Sequence, residues 1–144
     1  LLQGLETLPL RMERHCENAI KVANYLNNHE KVSNVIHPSL MSGEPKRRAD
    51  SYLEGGYGPL VGAEIKGGTT SGKKFIDSLK MFYHLANIGD SRSLAIHPAS
   101  TTHSQLKVDE LEASGASEGY VRLSVGLEHI DDILADLEQA LSEV

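Results

Sequence analysis

The chain is poor in the features that give away many function classes. It has a single cysteine, Cys16, in 144 residues. An internal disulfide is therefore excluded, and a lone thiol fits a reducing, cytoplasmic compartment. Lying among apolar residues at helical spacing, Cys16 reads as a small buried hydrophobe. No apolar run reaches the roughly 18 residues that a membrane-spanning helix needs, so no membrane partner is expected. Positive charge is also scarce. The 14 Lys and Arg stand against 20 Asp and Glu, a net charge of −6. Apart from "KRR" at 46–48, the cations are scattered, and there is no basic footprint for nucleic acid. What remains is ordinary globular composition, 40% hydrophobic and 24% charged, enough for one core.

The apolar pattern begins in mid-stride at "LLQGLETLPLRMERH" with no Met, so the sequence reads as a piece of a longer protein. Residues 1–6 read as the tail of an earlier element. From Thr7 a helix can start, with Thr as its cap and Pro9 in the first turn. Met12, Cys16, Ala19, Ile20, Ala23 and Leu26 then recur at spacings of three and four to about residue 29. "VSNVIHP" at 32–38 reads as a strand stopped by proline. A helical turn or two is expected around "RRADSYL". "LVGAEIKG" at 60–67 reads as a strand and "GTTSG" as a turn. Phe75, Ile76, Leu79, Phe82 and Tyr83 form the next helical stripe. "SLAI" at 93–96 and "YVRLSVG" at 120–126 read as strands. Ile130, Ile133, Leu134, Leu137, Ala140 and Leu141 form the last helix, with Asp131 and Asp132 at its positive end. The expected class is α+β: a mostly antiparallel four-stranded sheet with helices on one face.

Several stretches carry candidate chemistry. "GGTTSGKK" at 67–74 has the glycine and lysine spacing of a phosphate-binding loop, but Lys74 stands where a hydroxyl must reach Mg²⁺. A Gly-rich turn with solvated lysines is the simpler reading. "HPASTTHSQL" at 97–106 is crowded with hydroxyls and imidazoles. His97 and His103 lack a third ligand at suitable spacing for zinc. A Ser-His-Asp set lacks its glycine elbow. Hydroxyls that saturate a tight turn after Pro98 explain the stretch without any chemistry. Arg122 is the sharper feature. In "YVRLSVG", Val121, Leu123 and Val125 share one strand face, and Tyr120, Arg122 and Ser124 share the other. Arg122 thus projects from the face opposite the core, as a surface residue or as an anchor for carboxylate or phosphate.

Three stretches together, "LETLPLRMERHCENA" at 5–19, "NIGDSRSLAIHPASTTHSQL" at 87–106 and "VRLSVGLEHIDDILADLEQAL" at 121–141, resemble the end of the Cys/Met-metabolism family of pyridoxal-phosphate enzymes. That family includes cystathionine gamma-synthase, cystathionine gamma-lyase, methionine gamma-lyase and O-acetylhomoserine sulfhydrylase. "ANIGD" and "HPASTTH" are most similar to the sulfhydrylase branch. The resemblance implies the smaller C-terminal domain of a fold type I enzyme. Residues 1–29 would be the end of the linker and long helix that join it to a large cofactor domain, and residues 30–144 the substrate-clamping domain.

The resemblance also implies roles. Arg122 would grip the substrate's α-carboxylate. Asn87 would lie beside the cofactor lysine and that carboxylate, and Thr102 would help to hold Arg122. The family's gamma-lyases carry glutamine where Ile96 stands, so that polar contact is missing. The family's cofactor lysine sits in a Ser/Thr-Lys motif, and none of the eight lysines here lies in one. No catalytic, cofactor-binding or metal residue is therefore expected in this chain, nor a covalently held cofactor. For the full-length enzyme the resemblance implies pyridoxal 5'-phosphate, acting as an electron sink while acetate leaves the γ-carbon. Its substrates would be an O-acylhomoserine and sulfide or a thiol, its products homocysteine or methionine, and its assembly a homotetramer. Two alternatives stay open: another member of the same family, or a non-catalytic α+β domain with anion-binding turns.

Overall fold

A computed structural model describes residues 2–144, with the backbone alone for Val108 and Glu112. Two helices open the chain, α1 (Leu2–Glu6) and α2 (Leu8–Asn27). Then come β1 (Val32–Ile36), α3 (Gly43–Tyr52), β2 (Leu60–Ile65), α4 (Gly68–Ser78), β3 (Tyr83–His84) and β4 (Leu94–Ile96). The last three elements are α5 (Val108–Ala113), β5 (Tyr120–Ser124) and α6 (Ile130–Ser142). The five strands form one sheet in the order β1-β2-β5-β4-β3. The β1/β2, β2/β5 and β5/β4 pairs are antiparallel, whereas β3 runs parallel to β4. The expected four-stranded sheet is thus corrected to a mixed sheet of five. The extra strand is a two-residue edge whose side chains are exposed, too short to leave a period-2 signal.

Helices α2, α4 and α6 cover one face of the sheet. Of the stripe predicted for α2, Cys16, Ala19, Ala23 and Leu26 are buried and Met12 and Ile20 partly so, while Val22, outside that stripe, is sealed in the same core as Val61, Ala63 and Leu137. Val121, Leu123 and Val125 point into the same core and are fully buried. Burial of each such side chain contributes about 1.5–3 kcal/mol, and this apolar layer fixes which face of β5 looks outward.

Three local expectations are corrected. Thr7 sits at the N-cap of α2, but its side chain caps no backbone amide; its hydroxyl accepts from Arg11 Nε at 3.3 Å instead. Residues 68–72 are the first turns of α4 rather than a turn before it. The stripe read through Tyr83 does not belong to one helix, since α4 stops at Ser78 and Leu79 is extended. The cause lies on α6. The buried Asp136 carboxylate accepts the amide hydrogens of Lys80 and Met81 at 2.9 Å and of Phe82 at 3.1 Å. Three amides turned toward one carboxylate cannot also continue a helical ladder, and a charged acceptor makes the stronger bond.

Both "IHP" tripeptides end strands in the same way, with a short 3-10 turn over Pro38–Leu40 and over Pro98–Ser100. Each begins at a buried histidine. His37 Nδ1 accepts from Ser39 N at 3.2 Å and caps its turn. Burial holds the His37 imidazole below its ordinary pKa, and the Gly58 backbone acts weakly in the other direction. The unfolded chain therefore takes up this proton first. The contribution to stability is complete above the ordinary histidine value of about 6.5 and is lost as pH falls through it toward the lower folded value. Thermal melts at about pH 7.5 and about pH 5.5 should show the wild type losing more stability than His37→Asn, which keeps a capping oxygen without the titration. Equal losses in both proteins would show that His37 is not a source of acid sensitivity.

Candidate functional site

β5 is the central strand, so its outward face is the middle of the open side of the sheet. Arg122 stands there, half-buried. Its pairing partners are Gly62 on β2 and Ile96 on β4. Neither offers a competing polar side chain. Ile96 is a buried apolar flank. On the other flank a Cβ at Gly62 would stand 2.5 Å from the Tyr120 hydroxyl, so the phenol fills the room that a side chain would take. Burial pushes the Tyr120 phenol up, and the positive charge of Arg122 pulls it part of the way back. The guanidinium charge is thus felt along this face.

Among the described residues Arg122 has no ion-pair partner. Its polar contact is a long one, Nη2 donating to the Asn87 carbonyl oxygen at 3.5 Å. Most of the planar donor fork is left free. A free guanidinium fork of this kind has the planar geometry that matches a carboxylate by two parallel hydrogen bonds.

The three residues singled out from the sequence are placed differently. Asn87 is brought to Arg122 through its backbone carbonyl, while its side chain accepts from Ile88 N at 2.9 Å. Thr102 is exposed, and its hydroxyl pairs with His103 Nδ1 at 2.8 Å. No hydrogen bond joins Thr102 to Arg122 among the described residues. The crowded stretch 97–106 resolves into a saturated turn. His97 is buried, with Nδ1 at 2.8 Å from Ser100 Oγ and Nε2 at 2.7 Å from the Glu118 carbonyl. Thr101 Oγ1 donates to the His97 carbonyl at 2.8 Å. With both ring nitrogens engaged in hydrogen bonds and the ring packed on Gly72 of α4, His97 does not present a free nitrogen to a metal. Among the described residues no three His, Cys, Asp or Glu side chains are grouped to hold one. Lys73 and Lys74 are exposed on α4, within the helix rather than in a loop.

What sequence reasoning missed is Gly62, and with it the pairing that sets Gly62 and Ile96 on either side of Arg122. The strand alternation put Tyr120 and Ser124 on its face, but only strand pairing shows which residues flank it.

Comparison with known proteins decides the family. The family described as Cys/Met metabolism pyridoxal-phosphate-dependent enzyme matches residues 1–142. The chain belongs to this family. It is 57% identical over 145 residues to the O-acetyl-L-homoserine sulfhydrylase of Leptospira meyeri, covering all of this chain and 33% of that one. It is 42% identical over 144 residues to an L-methionine gamma-lyase of Fusobacterium nucleatum subsp. polymorphum, covering 100% of this chain and 36% of that one. A crystal structure from Campylobacter jejuni, described as an O-acetylhomoserine (thiol)-lyase with N'-pyridoxyl-lysine-5'-monophosphate, superposes with a TM-score of 0.91. The two are 44% identical over 98% of this chain and 34% of that one. The chain thus spans about a third of the length of the curated relatives it matches.

The members of this family depend on pyridoxal phosphate, so the described residues can be tested against that group. Lys31 Nζ donates to the Leu141 and Val144 carbonyls, Lys66 Nζ to the Glu30 carbonyl, and Lys46 pairs with Asp50 and Tyr57. Lys21, Lys73, Lys74, Lys80 and Lys107 are exposed on α2, α4 and two connecting segments. The open face of β5 carries Arg122 and no lysine. The described residues do not by themselves build a cradle for the cofactor; what they present on the open sheet face is Arg122, with most of its fork free.

Proposed function

We propose that this chain is the part of a pyridoxal-phosphate-dependent O-acetylhomoserine sulfhydrylase that binds the substrate's α-carboxylate. The observation that carries the reading is Arg122, half-buried at the centre of the open sheet face, between an apolar flank and a glycine, with most of its donor fork free. The names of the relatives support the choice of reaction, as the 57% and 48% identical proteins of Leptospira meyeri and Thermus thermophilus are O-acetyl-L-homoserine sulfhydrylases.

In this reading the cofactor supplies an electron sink for carbanion chemistry, and the residues of this chain supply orientation. A carboxylate held by two parallel N–H···O bonds loses its rotation about the guanidinium plane. The amino acid is then presented with one of its α-carbon bonds fixed in direction, which is how positioning accelerates a step without taking part in it. Ile96 keeps the flank dry, so the ion pair is worth more than it would be in open water. Asn87 contributes its backbone carbonyl to the same fork. Residues 1–29 connect this substrate-clamping region to the large cofactor domain. The co-substrate is sulfide or a thiol, the full-length assembly a homotetramer, and the compartment cytoplasmic.

The test is a product assay on the full-length gene product loaded with pyridoxal phosphate. O-Acetyl-L-homoserine and sulfide should give homocysteine and acetate in equal amounts. Release of 2-oxobutyrate from methionine without that replacement reaction would reassign the chain to the lyase branch.

A further inference from the structure

The segment that brings Asn87 to Arg122 has no buried apolar anchor of its own; Leu85 and Ile88 are more than half exposed. It is held by hydrogen bonds at every second residue, all to β5 or the turn that follows. Asn87 O accepts from Arg122 Nη2 at 3.5 Å. Gly89 N donates to Ser124 Oγ at 3.2 Å. Ser91 O accepts from Leu127 N at 2.8 Å. Ser93 is gripped twice by Glu128, its N–H donating to Oε1 at 2.7 Å and its hydroxyl to Oε2 at 2.9 Å. Ser93 Oγ in turn accepts from Gly126 N at 2.9 Å. The rungs run in order from Ser93 at the sheet to Asn87 at the site, so each fixes the register of the next.

Ser124 is the rung beside the clamp. It lies two residues beyond Arg122 on the same face of the same strand and is buried. Gly89 meets its hydroxyl at φ +74°, a conformation that side-chain-bearing residues rarely adopt. This hydroxyl ties the Asn87 segment to the strand that carries the arginine at the point nearest to it.

We infer that Ser124 is a positioning residue for the carboxylate clamp: through the Gly89 amide it sets where the Asn87 carbonyl meets Arg122, and so the direction of the free donor fork. Glu128 does the same one step further out, through Ser93. This rests on the clamp reading of Arg122 given above. Neither side chain touches the substrate.

The test is steady-state kinetics of the full-length enzyme with each substrate varied in turn. Ser124→Ala should raise KM for O-acetyl-L-homoserine roughly 3- to 10-fold, the size of one neutral hydrogen bond, and leave KM for sulfide unchanged. Glu128→Gln should shift the same constant in the same direction by less. In an Arg122→Lys background, where the fork is already gone, the Ser124→Ala effect should shrink to less than about twofold, because residues acting through one another are not additive. A merely structural serine would change both KM values or the amount of folded enzyme, and its effect would persist beside Arg122→Lys; either result overturns the inference, as does an unchanged KM in Ser124→Ala. If Arg122→Lys itself leaves KM for the amino acid untouched, the clamp reading fails and takes this inference with it.

Discussion

Replacing Arg122 by alanine in the full-length enzyme lowers kcat/KM for the O-acylhomoserine by roughly 30- to 4,000-fold. The size follows from the loss of a charge-assisted, two-pronged pair in a partly dry site, about 2–5 kcal/mol, at a factor of ten for each 1.4 kcal/mol. Much of that loss comes from leaving the substrate carboxylate beside Ile96 and Gly62 without a partner. Arg122→Lys recovers only part of the rate, because an ammonium keeps the charge but not the planar fork. Folding and cofactor absorbance stay near normal, since the guanidinium makes one long bond in the protein and none to a carboxylate among the described residues. Stopped assays at several substrate concentrations, with circular dichroism on the same samples, separate the outcomes. An alanine variant with near-normal kcat/KM, or one that fails to fold, makes Arg122 a surface or structural residue.

The second large effect is on stability. Asp136→Ala should cost roughly 3–5 kcal/mol, because three backbone amides that meet one carboxylate lose their acceptor together. For a chain of this size that lowers the thermal midpoint by roughly 10 °C. Gln139 also leans on this carboxylate, donating to Asp136 Oδ1 at 3.1 Å and to the Ser78 carbonyl at 2.7 Å. The α4–β3 connection should loosen first, with the Lys80, Met81 and Phe82 amides exchanging faster than those of β5. Asp136→Asn keeps one acceptor oxygen and should fall between the two. A loss below about 1 kcal/mol in Asp136→Ala would mean that water replaces the carboxylate at little cost, and that the end of α4 is set by something else.

These two residues also show what a sequence does and does not reveal. Arg122 was legible because β5 obeys the simplest rule in the chain. Three valine and leucine side chains at alternate positions must face the core, so the arginine between them must face away. The stripes of α2 and α6 were legible for the same reason at helical period. Asp136 was not, because its partners lie more than 50 positions away and are amides, which every residue has. That nonlocal bond cuts the stripe Phe75–Tyr83 into a helix, a linker and an edge strand, although Leu79 and Phe82 still pack on the core. The segment 85–93 was equally hidden, since its anchoring runs through backbone groups to side chains distant in sequence, Arg122, Ser124 and Glu128. In 97–106 the plain turn chemistry accounts for what the hydroxyls and His97 do. The family resemblance set Asn87 beside the substrate carboxylate and gave Thr102 a part in holding Arg122; here Asn87 meets Arg122 through its carbonyl, and Thr102 bonds to His103.

The central claim is that the free fork of Arg122 is a carboxylate site. A crystal structure of the full-length enzyme with an O-acylhomoserine or a stable analogue bound tests it most directly. The account predicts both carboxylate oxygens within hydrogen-bond reach of the Arg122 guanidinium, about 2.7–2.9 Å, with Ile96 along one side and the Asn87 carbonyl still in contact. A carboxylate held by another cation, with the Arg122 fork still facing solvent, would contradict it.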